Sequence, residues 1–198
     1  ATFRHVQTVE RFLHALKIDD IHLIGHSMGG LIALRVARRA RFRLKSLTLI
    51  EPMAFGTLDR EADGEAIAYD RTMIMDFLDA VEAGRLEEGI SIFTERVSHQ
   101  KWTDLSERVQ GELLAVLPQI VAEAPLVSCD DLAAPDLMGI DAATLLLGTR
   151  FSPPPAAPII QRIAAAILTH GTRCWPVSAI WLPSAIRSAS RMPYPGSI

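Results

Sequence analysis

Ile21-His22-Leu23-Ile24-Gly25-His26-Ser27-Met28-Gly29-Gly30-Leu31-Ile32 joins a short apolar run to a longer periodic one through a bend dense in glycine. Ile21 to Ile24 reads as a short buried strand. Leu31, Ile32, Leu34, Val36 and Ala37 open a helix, and Arg38, Arg39 and Arg41 at its end suit the negative pole of the helix dipole. The bend itself is Gly25-x-Ser27-x-Gly29. Between a strand and a helix, this spacing lifts a serine hydroxyl above the sheet edge, while small residues leave room where the two backbones nearly touch. The Met28 N–H, at the start of the helix, is placed to stabilise an oxyanion. The competing reading is an ordinary serine in a glycine-rich turn. The strand–turn–helix context favours the nucleophile.

Outward from the bend, Val6, Val9, Phe12, Leu13 and Leu16 recur at helical spacing, and Asp19-Asp20 turns that helix into the strand. Downstream, Leu44 to Ile50 holds a second strand, closed by Glu51-Pro52. From about Phe55 to Asp131 helical spacing dominates, as in Met73, Phe77, Leu78 and Val81 and in Leu113, Leu114, Leu117, Ile120 and Val121. Ala143 to Leu147 is a third apolar strand. Thr149-Arg150-Phe151-Ser152 and three prolines follow it, then an apolar helix face of Ile159, Ile160, Ile163, Ala166 and Ile167. Such alternation predicts an α/β protein, a parallel sheet with helices on both faces.

Composition narrows the partners. With 198 residues, 49% hydrophobic and 22% charged, the chain is long enough for one domain with a sizeable core. A net charge of −3 offers no basic surplus to replace phosphate counterions, which argues against nucleic acid. Two cysteines, Cys129 and Cys174, make no disulfide framework, so a cytoplasmic, reducing setting is expected. No uninterrupted apolar run approaches a membrane span. No signal peptide is read at Ala1-Thr2-Phe3-Arg4-His5, and the missing initiator Met suggests a piece of something longer. No cofactor or metal is expected.

Ile21 to Gly30 resembles the fifth strand and nucleophile elbow of the α/β-hydrolase family, in its branch with a helical cap. Leu47-Thr48-Leu49-Ile50-Glu51-Pro52 is similar to the sixth strand, residues 55–131 to the cap, and Ala143 to Gly148 to the seventh strand. The resemblance covers Phe3 to about Leu168. It implies a partial α/β-hydrolase fold, with core residues 1–54 and 132–168. It also implies that strands one to four, and the loop that supplies a second oxyanion donor, are missing. The first strand is then an unpaired apolar edge and an aggregation hazard.

The same resemblance implies the catalytic roles. Ser27, rather than Asp, favours hydrolysis through an acyl-enzyme, with Met28 N–H as oxyanion donor. The family's usual acid after the seventh strand is missing, because Thr149-Arg150-Phe151-Ser152 stands there. Some capped members carry the acid after the sixth strand, where Glu51 stands. Its alternative role is to stabilise the turn before Pro52. The base is the gap. The family keeps a histidine beyond its last strand, but His5, His14, His22 and His26 lie at or before the elbow and His99 lies in the insert. His170 directly follows the last helix, where a solvated helix end is the favoured reading. For His26, packing or turn hydrogen bonding is expected.

Residues 169–198 fit neither helical nor strand periodicity and read as an irregular tail. Reading each codon from its third base gives Leu at Cys174-Trp175 and Ala at Trp175-Pro176 by necessity, and His at Ala179-Ile180 by choice of codon. A frameshift between about Ile167 and Arg173 is therefore expected to have replaced the segment that carries the base.

Met73, Met75, Phe77, Phe93 and Trp102 are candidates for an acyl or aryl pocket, with core packing inside the insert as the favoured reading. A small carboxylic ester is the expected substrate. The alternatives are a carbon–carbon bond hydrolase, or a non-catalytic remnant or binding protein.

Overall fold

The computed structural model describes residues 2–98, 100–149, 151–168 and 177–182. Helix α1 (Thr2–Ala15) leads to strand β1 (Asp20–His26), helix α2 (Met28–Arg38) and strand β2 (Arg43–Ile50). Helices α3 (Gly64–Glu82), α4 (Leu86–Ser98) and α5 (Glu107–Ser128) follow. Strand β3 (Ala143–Thr149), helix α6 (Ala156–Leu168) and strand β4 (Val177–Leu182) complete the described elements. The sheet order is β1-β2-β3-β4, and every pairing is parallel.

Three of these strands are the ones the apolar runs predict. The fourth corrects the expectation of an irregular tail. Val177–Leu182 pairs with β3 from Thr144↔Val177 to Thr149↔Leu182. Val, Ile and Trp within six residues suit a pleated surface, and pairing on β3 satisfies the backbone groups that strand would otherwise leave open. The remainder of 169–198, including His170 and Cys174, lies outside the described residues, as do His99 and Arg150.

The main core lies on one face of the sheet. Register sets Leu23 beside Leu47 and Thr144, and Gly25 beside Leu49 and Leu146. Leu31 and Leu34 of α2 and Ile159, Ile160 and Ile163 of α6 pack with Leu47, Leu49 and Leu146, all essentially fully buried. The alternation predicts cover on the other face too. There the described residues are more open: Ser46, Thr48, Ile50 and Leu145 are half-buried, and Ile24 on the edge strand is 67% exposed.

Between β2 and β3 the helical insert has a small core of its own. Phe77, Ile90 and Leu117 are buried together, with Phe93, Trp102, Leu113 and Leu114 against them. Phe77 and Phe93 meet at 5.5 Å between ring centroids, with their planes tilted by 48°. Helix α5 meets the length and composition of a membrane-crossing helix. A search for uninterrupted apolar runs misses this, because Gln119 and Glu123 interrupt the pattern. In this fold α5 packs on α3 and α4, with Leu117 and Val127 buried.

Polar contacts tie the insert to the sheet layer. Arg35 on α2 makes a bidentate pair with Asp130, at 2.8 and 3.1 Å, and also contacts Asp131. Arg162 on α6 reaches Asp63 at 2.9 Å, and His5 on α1 reaches Glu123 at 3.4 Å. The chain leaving the sheet and the chain returning to it nearly touch: a Cβ on Gly56 would sit 2.5 Å from the Asp130 carbonyl oxygen.

Candidate active site

Ser27 is the single residue between β1 and α2, and its backbone is forced. Its φ is 56° and ψ −125°, a region that residues with a side chain rarely occupy. Hydrogen bonds hold it there from both sides. Its N–H donates to Ile50 O at 2.9 Å, and its carbonyl accepts from Gly30 N at 2.9 Å and Met53 N at 3.1 Å. The bend can close because Gly25 has no side chain: a Cβ there would lie 2.3 Å from Gly29 O.

The glycines do not share this work as the motif suggests. Gly30, outside the five-residue pattern, is the second tight position, with Pro52 Cβ 2.8 Å from where its own Cβ would be. At Gly29 a Cβ would meet nothing within 4 Å. The room is needed at Gly30 rather than at Gly29, because Pro52, just past β2, packs against the first turn of α2.

Glu51 follows β2 as Ser27 follows β1. Its φ is 45°, and its N–H donates to Leu147 O at 2.9 Å. Two other described non-glycine residues have positive φ, Lys17 and Ala40. Both end helices, where the left-handed conformation closes the last turn. Ser27 and Glu51 have no helix to end. They stand at the carboxyl ends of adjacent parallel strands, where open α/β sheets place their ligands.

The carboxylate of Glu51 accepts a short hydrogen bond from the Ser152 hydroxyl. Ser152 is fixed in turn by the β3 exit: its Oγ accepts from Thr149 N at 2.7 Å, and its N–H donates to Thr149 O at 3.0 Å. The turn after β3 thus supplies no acid but orients the acid of β2. His26 Nε2 lies 3.9 Å from the other Glu51 oxygen. This imidazole is the main cause holding the Glu51 carboxyl below its ordinary range; Ser152 helps and partial burial opposes. Reciprocally, Glu51 raises the His26 imidazole against the effect of burial. The expectation of packing or turn bonding for His26 is corrected here. Its side chain is 64% exposed and faces Glu51, because alternation along β1 puts it on the open face with His22 and Ile24.

Met28 is the first residue of α2, so its N–H is among those that no intrahelical carbonyl can accept. That leaves it available beside Ser27. The Ser27 hydroxyl itself donates to Met53 Sδ at 3.0 Å. Nothing in the sequence marks Met53, which reads there as one more apolar residue.

A cavity of about 1050 Å³ lies between α3, the end of α5 and the segment from Phe55 to Arg60. Met75 lines it. Met73, Phe77, Phe93 and Trp102 do not; Phe77, Phe93 and Trp102 belong to the insert's core and Met73 is buried. Asp70, buried on α3, also faces the cavity, and burial pushes its carboxyl up. Ser27 and Glu51 are not among the lining residues. Among the described residues no cluster of three or more metal-ligating side chains occurs.

A serine in a strained strand-to-helix bend thus stands beside a carboxylate on the next strand of a parallel α/β sheet. Residues 1–82 match the alpha/beta hydrolase fold family, and the parallel sheet with its helices shares the fold of solved α/β-hydrolase structures. A hydrolase from Pseudomonas aeruginosa superposes with a TM-score of 0.61 at 20% identity, over 96% of this chain and 68% of that one. A putative non-heme bromoperoxidase from Mycobacterium tuberculosis superposes at 0.57 and 17% identity, over 92% and 65%. At such identities the likeness is one of fold. In sequence, a probable lysophospholipase of Arabidopsis thaliana is 42% identical over 52 residues, 26% of this chain and 12% of that protein. The chain thus matches only a small part of its curated relative and about two thirds of its structural neighbours.

Proposed function

We propose that this chain carries the nucleophile and acid of a serine hydrolase acting on a small carboxylic ester, with the helical insert as the cap over its site. Ser27 attacks the ester carbonyl, Met28 N–H stabilises the oxyanion, and Glu51 is the carboxylate that would orient and charge-balance an imidazole base. One observation carries this reading: Ser27 and Glu51 are strained side by side, at adjacent strand ends, and neither positive φ closes the last turn of a helix as those of Lys17 and Ala40 do. Strain of that kind collects where function over-determines the backbone.

The base is the missing member. The sequence holds no histidine after Leu182, and the imidazole that meets Glu51 is His26. Loss of the base to a shifted reading frame accounts for this. The coding DNA tests it, since the junction of the Ala179 and Ile180 codons must spell His in that frame. On this account p-nitrophenyl acetate turnover is near background, and Ser27→Ala removes what remains above it. Robust turnover that survives Ser27→Ala overturns the proposal.

The second reading, a non-catalytic binding protein, is favoured by the hydroxyl's partner, a thioether rather than a base. It predicts ester or ester-analogue binding, seen by calorimetry, without turnover or acylation.

A further inference from the structure

Met53 contacts Ser27 twice. Its N–H donates to the Ser27 carbonyl at 3.1 Å, and its sulfur accepts the Ser27 hydroxyl at 3.0 Å. Neither end of this contact is loose. Met53 is half-buried and packs on the main core, and Pro52 before it is buried against Gly30. A thioether is a weak acceptor. It is also not a useful base in water, so it cannot take the hydroxyl proton during attack. An activated serine instead points its hydroxyl at a base within hydrogen-bond reach.

We propose that Met53 is a positioning residue that holds the Ser27 hydroxyl in a resting orientation, from which it must turn before it can attack. This rests on Ser27 being a nucleophile. The contact also makes the site responsive to oxidation. Hydrogen peroxide transfers one oxygen to the sulfur and is itself reduced to water, leaving a methionine sulfoxide. The sulfoxide oxygen accepts hydrogen bonds far better than the thioether, so the hydroxyl is held more tightly.

The test is the rate at which a fluorophosphonate labels Ser27 with imidazole in solution as the base, followed by peptide mass spectrometry in the whole chain, its Met53→Leu variant and a Ser27→Ala control. Leucine keeps the bulk and removes the acceptor. Labelling of Met53→Leu is expected to be faster by roughly three- to tenfold, the span set by removing one modest hydrogen bond from the resting state. Peroxide should slow labelling of the parent chain and leave Met53→Leu unchanged, while the near-ultraviolet circular dichroism of the parent stays the same, which loss of packing at position 53 would alter. Labelling of the parent that Met53→Leu leaves equal or slows overturns the holding role while leaving the nucleophile intact. If neither chain labels, removing the thioether has freed nothing. The proposal then fails, and the reading of Ser27 fails with it.

Discussion

Ser27 and Glu51 both take a positive φ, each one residue past the end of its strand, on neighbouring parallel strands. The pairing of His26 with Ile50, and the bond from Ser27 N to Ile50 O, fix them next to each other. Two side chains from distant parts of the sequence are thereby aimed off the same sheet edge by the same backbone device.

The bend should be intolerant at Gly25 and Gly30 and tolerant at Gly29. A Cβ at Gly25 meets backbone that cannot give way, and at Gly30 it meets Pro52. Gly25→Ala and Gly30→Ala are expected to lose on the order of 2 kcal/mol or more in urea unfolding. Gly29→Ala, on the first turn of α2 with open space around it, should be neutral or gain up to about 1 kcal/mol through helix propensity.

The Glu51–His26 contact should be visible in titrations. Glu51 is lowered and His26 raised. The Glu51 contribution is present above its unfolded pKa and is lost as pH falls through its depressed folded value. The His26 contribution is present below its unfolded pKa and is lost as pH rises through its raised folded value. The pair therefore acts between the two unfolded values, roughly pH 4.3 to 6.5. By NMR, the His26 imidazole should titrate above the ordinary histidine range in the parent chain and fall back in Glu51→Gln.

Arg35 and Asp130 hold the insert's return to the sheet layer. The Asp130 side chain is 2% exposed and also accepts from Leu132 N at 2.9 Å. Removing the acid leaves a mostly buried guanidinium with only the exposed Asp131 as its partner. Asp130→Ala should cost about 3 kcal/mol in denaturant unfolding, whereas the exposed pair of Arg108 and Glu112 should be nearly silent to substitution.

The edge of the sheet should drive association. Ile24 on β1 is 67% exposed, and Phe12 on α1 and Leu16 just after it are 61% and 53% exposed. An open apolar edge templates strand pairing. Light scattering should show concentration-dependent assembly, reduced by Ile24→Lys.

Much of this was legible in the sequence because it rests on local spacing. The elbow is five contiguous residues, and the three apolar runs differ plainly from the helical insert between them. Position 51 could be chosen only by resemblance, since an acid before a proline also makes an ordinary turn. Ser152 was legible only as the absence of an acid, because its bond to Glu51 spans two strands. Met53 carried no signal, since its contact with Ser27 depends on how β2 leaves the sheet. Strand β4 was hidden because six residues flanked by prolines show little periodicity until a partner strand is placed beside them.

The Ser27 hydroxyl is proposed to be a nucleophile without its base. Imidazole in solution can supply one. The direct measurement is peptide mass spectrometry of the chain after brief exposure to p-nitrophenyl acetate, with and without imidazole. The account predicts an acetyl group on Ser27 whose yield rises with imidazole and falls in Glu51→Gln. Acetylation confined to lysines, unchanged in Ser27→Ala, would contradict it.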